Sequence, residues 1–141
     1  MLGKSCLAVI AIPALVAMAA PAYAETIELA AGPVYGGKSI KKPDSSYAGF
    51  VTCRLFNNGA VAHITSRKIF DNTNAAVTLD GGDSCTGALG HHKYCAFAAT
   101  IGGNFAFTCA VTVSPATASI VGVAEILDSN SLLVGVVPFS R

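Results

Sequence analysis

Hydrophobic and polar residues alternate along most of this chain with a period of two, the repeat of a half-buried β-strand. The clearest run is Phe105 to Val113, where Phe105, Phe107, Cys109, Val111 and Val113 share one face and Ala106, Thr108, Ala110 and Thr112 the other. Cys95, Phe97, Ala99 and Ile101 alternate in the same way just before it. Gly102-Gly103-Asn104 lies between them and reads as a turn, so residues 94–113 are expected to form a β-hairpin. A second hairpin is expected about Asn57-Asn58-Gly59. Its first strand sets Val51, Cys53 and Leu55 against Phe50, Thr52, Arg54 and Phe56, and its second, 61–70, is more polar and reads as a sheet edge. Asp128-Ser129-Asn130 predicts a third, with strands over 118–127 and 132–139. Residues 75–79 read as a short strand, 26–30 as a first strand, and 31–46, with Gly32, Pro33, Gly36, Gly37 and Pro43, as a long loop. No long stretch carries a helical stripe, and neither a solenoid repeat nor heptads are present.

The first 24 residues break this pattern. Lys4 precedes an apolar run from Leu7 to Ala20, and Ala22-Tyr23-Ala24 is a small-x-small cleavage site. This is the layout of a secretory signal peptide, and the apolar run is shorter than the ~20 residues of a membrane span. Residues 1–24 are therefore expected to be a cleaved leader and 25–141 a single domain without a membrane span. The Ala-x-Ala site suits bacterial export, to the periplasm or outside the cell.

Export gives the cysteines their meaning. Cys6 belongs to the leader, and Cys53, Cys85, Cys95 and Cys109 remain. An even set in a short exported chain reads as two disulfides. Cys53 and Cys109 sit on the apolar faces of two distant strands and are expected to bridge the core, while Cys85 and Cys95 are expected to pair locally. In the chain-entropy treatment the long loop contributes ~4 kcal/mol and the short one ~2–3 kcal/mol. Such staples matter here, because the chain has no Trp and both its Met residues lie in the leader, so the core is built from small side chains. About seven to nine short strands at this spacing indicate an antiparallel β-sandwich or small barrel. A cross-strand bridge makes the domain immunoglobulin-like in outline. The hallmarks of that family are missing, since no Trp packs on the bridge and Phe107 stands where a tyrosine corner needs Tyr.

Charge excludes one partner class. The chain has nine Lys and Arg against eight Asp and Glu, and removal of Lys4 balances them. Nucleic-acid binding needs a basic surface, and Lys38-Ser39-Ile40-Lys41-Lys42 is only a short solvated stretch.

Catalytic candidates are few. Gly82-Asp83-Ser84 resembles the nucleophile loop of trypsin-like serine proteases over three residues, with His63 and Asp71 preceding it in that family's order. The domain is too short for the second barrel such enzymes need, and Cys85 follows Ser84 where their oxyanion loop has Gly. His91 and His92, with Asp83 or His63, offer nitrogen and oxygen ligands for a metal. The chain lacks Cys-x-x-Cys and His-x-x-x-His, so a polar loop is the expected reading and no cofactor is expected. Tyr35, Tyr47 and Tyr94 are aromatic side chains suited to a binding face. The sequence thus points to an exported, non-enzymatic binding or accessory module with a protein or glycan partner in the cell envelope. The alternatives are a structural subunit that self-associates through edge strands 61–70 and 132–139, or a metal-binding protein using His91 and His92.

Overall fold

The computed structural model describes residues 25–35, 49–102 and 106–141. The expected leader, most of the Gly- and Pro-rich loop with its Lys38–Lys42 stretch, Tyr47, and the Gly103-Asn104-Phe105 turn region fall outside those residues. Eight strands are present: β1 (Ile27–Tyr35), β2 (Gly49–Asn57), β3 (Ala62–Asp71), β4 (Gly87–Leu89), β5 (Tyr94–Ile101), β6 (Ala106–Ser114), β7 (Ile120–Asp128) and β8 (Leu133–Ser140). They form one antiparallel sheet in the order β4-β3-β6-β1-β8-β7-β2-β5. No helix occurs among the described residues.

The expected alternation sets the inside of this sheet. Val51, Cys53 and Leu55 of β2, Cys95, Phe97 and Ala99 of β5, and Phe107, Cys109, Val111 and Val113 of β6 are all buried. Two halves, β4-β3-β6-β1 and β8-β7-β2-β5, enclose this core. They are joined where β8 leaves its ladder with β7 and pairs with β1 at Phe139 and Ser140. Cys53 and Cys109 bond across the core between β2 and β6, which share no ladder. Cys85 bonds Cys95. All four sulfur-bearing residues are buried, and both pairings are those expected from the sequence.

The two ends of the sheet, β4 and β5, do not stand open. Residues 72–86, between β3 and β4, run through the gap between the sheet's ends. Val77 N–H donates to Ile69 O of β3 at 2.8 Å. Farther on, Gly81 N–H donates to Ala98 O at 3.1 Å and Ser84 N–H to Ala96 O at 2.8 Å, both on β5. Gly81 is required for this approach, because a Cβ there would lie 2.9 Å from the Ala98 Cβ. The Cys85–Cys95 bond then fastens the connection to β5, and the sheet is nearly closed.

Five expectations are corrected. Residues 94–113 are not a hairpin, since β5 pairs with β2 while β6 pairs with β1 and β3. The Asn57-Asn58-Gly59 turn does not fold β3 back onto β2 either; it carries the chain across to the other half. In both places the strands flanking the turn belong to opposite halves, so their apolar inner faces meet across the shared core instead of lying side by side in one ladder. Strands 61–70 and 132–139 are not edges, as β3 lies between β4 and β6 and β8 between β1 and β7. Residues 75–79 hold only an isolated Phe70–Ala76 bridge, and 31–35 belong to β1, which passes Gly32 and Pro33 through a break in register. The β7–β8 hairpin is as expected.

Candidate functional site

The outward side chains of β5, β2 and β7 line up in rows set by register. Tyr94, Phe56 and Val121 are direct cross-strand partners and form the first row. Ala96, Arg54 and Val123 form the second, continued on β8 by Pro138. Ala98, Thr52, Glu125 and Val136 form the third. The first row is exposed, Tyr94 by 76%, Val121 by 54% and Phe56 by 36%. With Arg54, Val123 and the Gly122 backbone it bounds a hollow of about 400 Å³. A Cβ at Gly122 would sit 2.2 Å from Arg54 O, so only glycine lets β7 approach β2 here. Arg54 Nε donates to Glu125 Oε2 at 2.7 Å, an ion pair set within the apolar face. A second hollow of about 460 Å³ adjoins it beyond Arg54, between Thr52 and the Gly81–Ser84 segment.

One buried polar side chain shapes the rim. Asn57 ends β2 with no exposed surface. Its Nδ2 donates to Ala60 O at 2.7 Å, Leu89 O at 2.8 Å and Gly90 O at 3.2 Å, and its Oδ1 accepts from Gly59 N–H at 3.0 Å. Its backbone accepts from His92 N–H and donates to Lys93 O, each at 2.9 Å. The 90–93 loop is thereby held against the end of β2. Within it His91 Nδ1 donates to Gly59 O at 2.8 Å, and the two imidazoles stack with centroids 3.6 Å apart. His92 lies parallel to the Phe56 ring at 6.1 Å, extending the aromatic rim from Tyr94 and Phe56.

Most polar groups around the second hollow are engaged. Ser84 Oγ donates to Ala96 O at 3.1 Å and accepts from Ala96 N–H at 2.9 Å. Asp83 pairs with Arg67, which points to the inner side of β3 beside Val111, and also accepts from Cys85 N–H at 2.9 Å. Asp80 accepts from the Thr100 hydroxyl and from Thr100 N–H, and these bonds hold its carboxyl below the usual aspartate value. Asp71 is lowered by the Thr73 hydroxyl and the Ala75 and Thr73 amides in its turn.

No protein family, curated protein or solved structure matches this chain.

Tyr94 lines the first hollow, while His92 lies outside it beside the Phe56 ring, with His91 stacked on His92. Tyr35 ends β1 opposite Ala106, separated from β2 in the sheet by β8 and β7. His63 sits on β3 opposite Ser114, and Asp71 is occupied in its own turn, so neither is joined to Ser84. Among the described residues no group of three or more His, Cys, Asp or Glu side chains gathers as a metal site. Sequence reasoning missed Phe56, Arg54, Val121 and Asn57. A usable signal was present: β2 carries Phe50 and Phe56 on the face opposite Val51, Cys53 and Leu55, so it is apolar on both sides.

Proposed function

We propose that this protein is an exported, non-enzymatic binding or accessory module that works in the periplasm or outside the cell. Its binding surface is the outer face of β8-β7-β2-β5. The observation that carries this reading is the contrast between the two outer faces of the sheet. On β1-β6-β3 the outward rows are largely polar, including Glu28, Thr112, Ser66, Lys68 and Thr108. On β8-β7-β2-β5 they are largely apolar and centred on an exposed Tyr-Phe-Val row. A continuous exposed apolar face marks an interaction surface, and Tyr and Phe with a neighbouring Arg are side chains that anchor protein contacts. Two internal disulfides suit an oxidising compartment, and the leader-like N-terminus suits export.

A protein partner is favoured over a glycan. Sugar hydroxyls need uncommitted polar groups, and here Ser84, Asp83 and Asp80 already bond within the chain. The test is a photo-crosslinking residue placed at position 94 or, on the opposite face, at position 68, in cells that produce the protein. Adducts are expected from position 94 alone. Equal labelling from both positions, or none from 94, would overturn the assignment of the face.

A further inference from the structure

Resting on the reading of the outer β8-β7-β2-β5 face as the binding surface, we infer that its partner is a second copy of this chain, docked face to face about a two-fold axis. Two observations point there. The first is charge. The only formal charges in the outward rows of this face are Arg54 and Glu125, one of each sign, on neighbouring strands and 2.7 Å apart. A two-fold axis lying in the interface, midway between them and perpendicular to the line joining them, lays each copy's Arg54 over its mate's Glu125. The four charges then close into one cluster with none unpaired, which a buried charge requires. An isologous contact needs such a self-complementary patch, in which residue i meets j and j meets i.

The second observation is area. Four strands about 4.8 Å apart, each presenting up to four outward residues about 6.8 Å apart, give a face of roughly 500 Å². Two such faces bury about 1,000 Å² in total, the lower limit for a specific interface and the range of weak dimers. The exposed Tyr94, Phe56, Val121, Val136 and Leu133 supply its apolar part. Interfaces of that size belong to the weak, transient class, so a reversible monomer–dimer equilibrium is expected.

Sedimentation velocity on the oxidised protein, from about 1 to 200 μM, reads this directly, the range being set for a weak equilibrium. A concentration-dependent shift from monomer to dimer is expected. Y94E and V121E should each weaken it at least about tenfold, with thermal unfolding of the monomer unchanged because both side chains are exposed. The decisive arm is a charge exchange. R54E and E125R should each be monomeric alone, since each brings like charges together. Mixed in equal amounts they should form a heterodimer, because each acidic pair then meets a basic pair. Rescue in the mixture is not expected of residues that only stabilise the monomer. A monomer at every concentration, or a dimer unaffected by Y94E and by both charge variants, overturns the inference. If the protein is monomeric yet position 94 still crosslinks to a different protein, the second-copy inference falls and the binding face stands; absence of both removes both.

Discussion

Replacing Asn57 by aspartate changes one buried atom group and leaves the volume alone. In the native chain Nδ2 faces three carbonyl oxygens, of Ala60, Leu89 and Gly90, at 2.7, 2.8 and 3.2 Å. In Asn57→Asp an oxygen replaces that donor and confronts the same three acceptors, while the bond from Gly59 N–H to Oδ1 survives. The contact with Leu89 O is fully buried, and an unmet buried group costs about 1–3 kcal/mol. The other two are partly buried and worth about 0.5–1.5 kcal/mol each. The total is about 2–6 kcal/mol at pH 7, or roughly 8–25 °C in melting temperature for a domain of this size. Burial and the facing carbonyls raise the introduced carboxyl's folded-state pKa above its unfolded value. The penalty relative to the native chain should therefore be smallest below the unfolded value near 3.9 and should grow as pH rises through the raised native one. Urea unfolding followed by far-ultraviolet circular dichroism, with both disulfides intact, measures both terms. A variant within about 1 kcal/mol of the native protein at pH 7, or a penalty that does not change with pH, would refute the view of Asn57 as the hydrogen-bonded anchor of the 90–93 loop.

Other outcomes follow from the same contacts. The double variant Cys53→Ala, Cys109→Ala should lose about 4 kcal/mol in chemical denaturation, and Cys85→Ala, Cys95→Ala about 3 kcal/mol, because the first closes a span of 56 residues and the second one of 10. Asp80 and Asp71 have lowered native pKa values, so their contribution is complete above the ordinary value of 3.8 and is lost as pH falls through the lowered ones. Asp80→Asn should thus be less stable than the native protein at pH 7, with the difference shrinking in unfolding curves recorded at successively lower pH below the ordinary value of 3.8. Gly122→Ala places a methyl against Arg54 O and should cost about 2–3 kcal/mol, with amide exchange accelerated along β2 and β7.

The inner faces of the strands were legible in the sequence because burial on one side of a strand imposes a period of two. Val51-Cys53-Leu55 and Phe107-Cys109-Val111-Val113 needed no tertiary information, and the cysteine pairing followed from which faces those residues share. Strand pairing was not legible in the same way. Gly102-Gly103-Asn104 and Asn57-Asn58-Gly59 announce that the chain reverses, but turn chemistry is local and does not say which half of the sheet receives the next strand. The Asn-Asn-Gly signal also concealed that Asn57 is a buried anchor. Of the binding face, Tyr94 was visible as an aromatic beside a cysteine. Its companion row was not, since Phe56 and Val121 become neighbours only through the β2–β7 ladder. The two histidines were visible as a pair, while the stacking of His92 against Phe56 depends on the bonds that Asn57 makes to the loop backbone.

The place of β8 in the sheet has a consequence for biogenesis. β8, made after the other seven described strands, lies in the middle of the sheet order and supplies the one ladder between the two halves among the described residues. Until it arrives, β1-β6-β3-β4 and β7-β2-β5 have no ladder in common. Nearly every other ladder also joins strands far apart in sequence, which makes folding slow as well as late. The sheet stays incomplete until β8 has been made. On the proposed route of export, that order of pairing would leave the chain threadable across the membrane, with Cys53–Cys109 formed as the two halves close.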